Sequence, residues 1–270
     1  MPVGNDIVDL RDPETRPGAL HPRFDARVFT PAERERIGPD EQGHRMRWLM
    51  WAAKESAYKA AKKLDPRTVF SPSRFEVELS APSPKFGGIR PPIHPLRLRC
   101  APCGVLPGTP QSRALPAGRL DGLGASSNFG DGAPRSEREG IVRFGDSIFS
   151  LLAELSDELV HVVAAPASEA MQTASGPADR SAFETGKRFW LQFETARLSS
   201  RARDALVAGL EVRQMAARAL GSLLEIPRQR IELIRRGRVP RALFEGVRLP
   251  IDLSLSHHGR FGAYALVWKG

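Results

Sequence analysis

Cysteine is nearly missing from this chain of 270 residues: there are two, Cys100 and Cys103, in "CAPCG". Two cysteines make no disulfide framework. A lone C-x-x-C, with no second pair and no H-x3-H spacing, falls short of the four ligands of a structural zinc site. Long apolar runs are missing too, and none approaches a membrane span. The N-terminus "MPVGNDIVDL" has neither the basic n-region nor the apolar h-region of a signal peptide. These absences predict a cytoplasmic protein that does not enter a membrane. No nucleic-acid recognition motif or set of stacking aromatics is recognisable, so no nucleic-acid partner is expected.

The composition that remains, 41% hydrophobic and 26% charged, is that of a globular protein long enough for one large domain or two small ones. The net charge of +9 is unevenly spread. Residues 181–270 hold 16 Lys and Arg against 8 Asp and Glu, while the first 180 residues are nearly neutral. A basic end of this kind calls for an anionic partner: nucleic acid, an acidic protein or a polyphosphate cofactor.

Along the chain, "NDIVDL" alternates as a short strand. "FTPAERERI" starts a helix, with Thr30 as N-cap, Pro31 at the first helical position and Glu33 three residues after Thr30. About Arg45 to Leu64 is free of Gly and Pro, and its apolar stripe runs Met46, Leu49, Met50, Ala53, Ala57, Ala60, Ala61 and Leu64. "RFEVEL" is a strand. From 81 to 140, twenty of sixty residues are Gly or Pro, which predicts a loop-rich insertion. Strands resume at "IVRFGDSIFSLLAEL" and "LVHVVAA", and a polar linker covers 166–180. After it come a strand ("KRFWLQFETARL"), a helix from about Arg203 to Leu224, and strands at "RIELIRR", "DLSLS" and "GAYALVW". The second half repeats the order of the first weakly. The expectation is an α+β fold: a pseudo-twofold pair of strand–helix–strand–strand units packed as an intramolecular dimer. Its halves are 1–165 and 181–270, complete as a monomer.

Four groups of residues could carry chemistry. Trp48, Trp51, Glu55 and Lys59 recur at steps of three or four on the helix face opposite the apolar stripe. A solvated Glu–Lys pair explains the charges, but two tryptophans beside it suggest a covered face. Gly4-Asn5-Asp6 reads as a turn or as a placed carboxylate. Ser256, His257, His258 and Arg260 flank Gly259 between two strands, as a polar hairpin turn would. Arg235, Arg236, Arg238 and Arg241 surround Gly237 and Pro240, as a solvated basic turn would.

Taken together, these groups resemble the phosphopantetheinyl transferase superfamily. Its G-x-D strand is matched by Gly4-Asn5-Asp6, and its W-x-x-K-E-x-x-x-K helix by Trp51, Lys54, Glu55 and Lys59. The Ser-His turn of its larger monomeric class is matched by Ser256-His257, and "FTPAE" resembles its F-T-x-x-E segment. The resemblance implies transfer of the 4′-phosphopantetheine arm of coenzyme A to a serine of an acidic acyl or peptidyl carrier protein, releasing 3′,5′-ADP. It implies Mg2+ held by Asp6 and Glu55, Lys59 as the base, and coenzyme A phosphates bound by Lys54, Arg236, Arg238, Arg241, Ser256 and His257.

The pattern departs from the family's in three places. The Ser-His turn follows the G-x-D and Lys-Glu motifs instead of preceding them. Val8 stands where the large class has a third acidic ligand, as in the small class. "GRVP" carries one residue more than the family's Gly-Lys-Pro turn. The second half has "EVRQMAARAL" where a Lys-Glu helix would be, so a single site between the halves is expected. Two other readings stay open: a coenzyme A-binding member without transfer, and a basic nucleic-acid binder.

Overall fold

The computed structural model describes residues 1–80, 136–167, 189–200 and 204–269. The insertion expected over 81–140, apart from its last five residues, lies outside them, as do most of the linker and both cysteines.

The first half runs β1 (Gly4–Asp9), α1 (Phe24–Val28), α2 (Pro31–Arg36), α3 (Glu41–Leu64), β2 (Glu76–Leu79), β3 (Ser136–Phe144), β4 (Ser147–Leu155) and β5 (Leu159–Pro166). The second runs β6 (Phe189–Arg197), α4 (Ala205–Leu224), β7 (Ile231–Arg236), β8 (Val239–Phe244), β9 (Val247–Arg248), β10 (Ile251–His258) and β11 (Phe261–Lys269). The fold is α+β. Strand orders are β1-β5-β4-β3-β2, β10-β11-β6 and β7-β8-β9.

Local chemistry sets the helices. At α2 the expected capping box forms: Thr30 Oγ1 accepts from the Glu33 N–H and Glu33 Oε2 accepts from the Thr30 N–H. Helix α3 begins four residues earlier than the periodicity suggests, because Asp40 caps it by accepting from the Gly43 N–H at 2.8 Å. Likewise Asp204 accepts from the Leu206 N–H and starts α4.

One large core lies between α3 and the five-stranded sheet, built from residues such as Leu49, Met50, Ala53, Ala57, Phe75, Phe149 and Val162. A second lies under α4, where Ala216, Leu220 and Leu223 meet Leu253, Tyr264 and Leu266. Two small clusters join the halves: Val3 and Val163 with Ala265 and Val267, and Ile7 and Leu159 with Phe261 and Ala263. Each half pairs its first strand with its last, β1 with β5 and β6 with β11, and its last with the one before it. Each unit is longer than the strand–helix–strand–strand unit expected: the first also carries β2 and β3, and the second β7, β8 and β9.

β1 sits at the centre of this arrangement, and all six of its residues are buried. Its even-numbered side chains face α3. Gly4 is required there, since a Cβ would stand 1.9 Å from the Ser56 carbonyl oxygen. That close approach, followed by Asp6 one strand repeat later on the same face, brings Asp6 to the helix.

Candidate active site

A cleft of about 400 Å³ opens between the halves. Its first wall carries Asp6, Ile7 and Val8 from β1 and Trp48, Trp51, Glu55 and Lys59 from α3; its second carries Gly209, Val212 and Arg213 from α4, Arg235, Arg238 and Pro240 from the β7–β8 hairpin, and Leu255 to His258 from β10.

The acidic wall is tightly organised. Asp6 Oδ1 accepts from Lys59 Nζ at 2.7 Å and from Ser256 Oγ at 2.9 Å. Lys59 also donates to the Asn5 carbonyl at 2.9 Å. Its ammonium is thus a donor in two bonds, whereas a base needs the free amine. Glu55, one helical turn before Lys59, has no hydrogen-bond partner among the described residues. Burial, then the charge of Asp6, push its carboxyl above the ordinary glutamate range, and Lys59 pulls it partly back. On the tryptophan face Trp48 is covered, at 7% exposed, and its indole N–H donates to the Thr15 carbonyl at 3.0 Å, while Trp51, Glu55 and Lys59 are half-buried at the cleft.

The basic wall follows from strand register. Gly237 (φ +64°) opens the two-residue turn between Arg236 and Val239 and sets Arg238 at its tip. Arg235 pairs across the hairpin with Pro240, and both face the cleft. Arg236 and Arg241 alternate onto the other face of the same hairpin, and neither lines the cleft. Burial, then the charges of Lys59, His258, Arg213 and Arg235, push His257 below the ordinary histidine range.

Of the residues expected at the site, Asp6, Glu55, Lys59, Arg238, Ser256 and His257 therefore meet in one cleft. Lys54 is elsewhere. It is 0% exposed, and its ammonium donates to Glu33 Oε2 at 2.7 Å, to the Pro72 carbonyl at 3.1 Å and to the Phe75 carbonyl. Glu33 Oε1 accepts from the Val77 N–H, so the Glu of "FTPAE" and the Lys of the helix motif form a buried joint between α2, α3 and β2. Arg235, one of the arginines singled out around Gly237, also lines the cleft, as does Arg213, which the sequence had not singled out.

A divalent cation is implied by the resemblance, and the donor set fits it. Two carboxylates converge from β1 and α3, and the charge of Asp6 raises the proton affinity of Glu55, a repulsion that a hard cation bound by carboxylate oxygens would relieve. Asp12, Glu14 and His258 form a second group, with ligand atoms within 4.8 Å of one another. There, Asp12 Oδ1 already accepts from the Glu14 N–H and His258 Nδ1 from the Asp9 N–H.

Residues 2–98 match the family model of the 4'-phosphopantetheinyl transferase superfamily. That stretch contains β1 and α3, and with them Asp6, Glu55 and Lys59. No curated protein and no solved structure matches the chain. Among the described residues no helix is long and apolar enough to cross a membrane.

Proposed function

We propose that the protein transfers the 4′-phosphopantetheine group of coenzyme A to a serine of an acyl or peptidyl carrier protein. The observation that carries this reading is the cleft itself: two carboxylates on one wall face three arginines on the other. A diphosphate with a divalent cation matches both walls at once, whereas a nucleic-acid backbone would be repelled by the acidic one.

In this reading the serine oxygen attacks the phosphorus on the pantetheine side of the diphosphate. The bond from that phosphorus to the bridging oxygen breaks, and 3′,5′-ADP leaves. Bound by Asp6 and Glu55, Mg2+ would supply charge neutralisation at the diphosphate. Arg213, Arg235, Arg238 and His257 bind and orient the coenzyme's phosphates, in the ground state as in the transition state. Lys59 balances the carboxylates and holds Asp6 in place. With its ammonium so engaged, the serine proton is assigned to Glu55, which has no hydrogen bond to give up. The two halves would then be related as a pseudo-twofold intramolecular dimer with one site, because α4 has no counterpart of Glu55.

The test is incubation with coenzyme A, Mg2+ and a panel of apo carrier proteins, read by intact mass. A phosphopantetheine adduct is expected, together with 3′,5′-ADP, and Glu55→Ala should lower its rate at least about a thousandfold. Coenzyme A binding with no adduct on any carrier would contradict the transfer reading.

A further inference from the structure

β1 has two edges. One pairs with the backbone of β5 from Gly4↔Ala164 to Asp9↔Leu159. The other pairs with no strand among the described residues; most of its groups meet side chains, and the Asp9 oxygen accepts from the Asp12 N–H at 3.2 Å. The N–H groups of Val3, Asn5, Ile7 and Asp9 donate to Asp252 Oδ2 (2.7 Å), Ser254 Oγ (3.0 Å), Ser256 Oγ (3.3 Å) and His258 Nδ1 (3.1 Å). Those acceptors are alternate residues of β10. Two carbonyls on the same edge are taken by lysines of α3: Lys63 Nζ donates to the Val3 oxygen at 2.6 Å and Lys59 Nζ to the Asn5 oxygen at 2.9 Å. A buried edge must satisfy these groups somehow, and here the second half supplies the acceptors.

One rung differs from the others. Ser256 accepts from the Ile7 N–H and uses its own proton on Asp6 Oδ1 at 2.9 Å. It is 8% exposed. A hydroxyl has one proton to give, and this one is given to a carboxylate. Ser254 is the natural comparison, since it makes the equivalent rung to Asn5 and does not line the cleft.

We propose that Ser256 is a positioning residue: by joining the β1 edge to the Asp6 carboxylate in one hydroxyl, it makes the orientation of Asp6 depend on the docking of β10. This rests on the reading of Asp6 as a cation ligand. It gives Ser256 a role towards the carboxylate rather than towards the phosphates of coenzyme A.

The experiment compares the full-length wild type with Ser256→Ala and Ser254→Ala. Thermal unfolding, Mn2+ affinity by electron paramagnetic resonance, and kcat and KM for coenzyme A are measured on each. Each variant loses one rung, so similar drops in unfolding temperature are expected. Ser256→Ala alone should weaken Mn2+ binding and lower kcat, each about tenfold, while KM for coenzyme A stays close to wild type. Equal Mn2+ affinity and kcat in the two variants would overturn the proposal. So would a rise in KM for Ser256→Ala at unchanged Mn2+ affinity, which would make the hydroxyl a coenzyme ligand. A wild type with neither a Mn2+ site nor transfer activity refutes the functional reading and this proposal with it. A wild type with both, and an indifferent Ser256→Ala, refutes this proposal alone.

Discussion

The two walls of the cleft are built in different ways. On the acidic wall Asp6 is held before any ligand arrives, since it already accepts two hydrogen bonds, whereas Glu55 has none among the described residues. The basic wall stands on the N-terminal half of α4 and a hairpin tip, and among the described residues Arg213 donates only to the Gly209 carbonyl, at 2.9 Å. The comparison teaches a division of labour. A carboxylate held in place suits an ion whose geometry is demanding, while long cations gathered from separate elements suit a flexible polyphosphate. Each wall should therefore fail in its own way.

The largest effect is expected behind the acidic wall. Lys54 was assigned to the coenzyme by its place in the helix motif, but the structure makes it the partner of buried Glu33. Replacing it with Met leaves that carboxylate without its cation, at a cost of about 3–5 kcal/mol. Chemical unfolding of Lys54→Met should show that loss. Near-normal stability with a raised KM for coenzyme A would instead return Lys54 to the binding site.

On the basic wall the effect should be smaller and confined to binding. Arg235→Ala and Arg238→Ala should each raise KM for coenzyme A about 10-fold to 100-fold with little change in kcat. Arg236→Ala, on the far face of the same hairpin, should change neither value. Steady-state kinetics on the three variants separates the two faces.

The smallest effect concerns stability without ligands and depends on pH. Burial raises the folded-state pKa of Glu55 above its unfolded value, so the native state favours the protonated form. The stabilisation linked to that proton is fully present below the unfolded pKa and is lost as pH rises through the folded one. Glu55→Gln keeps the shape and removes the charge. Without cation, it should raise the unfolding temperature at pH 8 by a few degrees, about 1 kcal/mol. The gain should vanish at a pH below the ordinary glutamate range. Calorimetry at the two pH values checks the sign.

Much of the site was legible because its chemistry is local. A glycine two residues before an aspartate, and an acid four residues before a lysine, each put their groups on one face whatever the fold. What the sequence hid depends on register and on distant partners. Arg235, Arg236 and Arg241 look alike in one dimension. Only the pairing of Arg235 with Pro240 and of Arg236 with Val239 sends them to opposite faces. The apolar neighbours on the Arg235 face, Leu233 and Ala242, carried that signal, since both pack towards α4. Lys54 lies one residue from Glu55 and looks equally exposed until Glu33, 21 residues upstream, is seen beneath it. β10 misleads most. Its "DLSLSH" alternation has the pattern of a half-solvated strand, yet Ser254 and Ser256 are 3% and 8% exposed. Their polar face meets the open edge of another strand instead of water.

The central claim is that Asp6 and Glu55 share one divalent ion, and Mn2+ titration followed by electron paramagnetic resonance tests it most directly. The account predicts one site in the wild type, lost in Asp6→Asn and in Glu55→Gln, and retained in an Asp12→Asn/Glu14→Gln double variant. A site that survives both single substitutions, or that disappears only with Asp12 and Glu14, would contradict it.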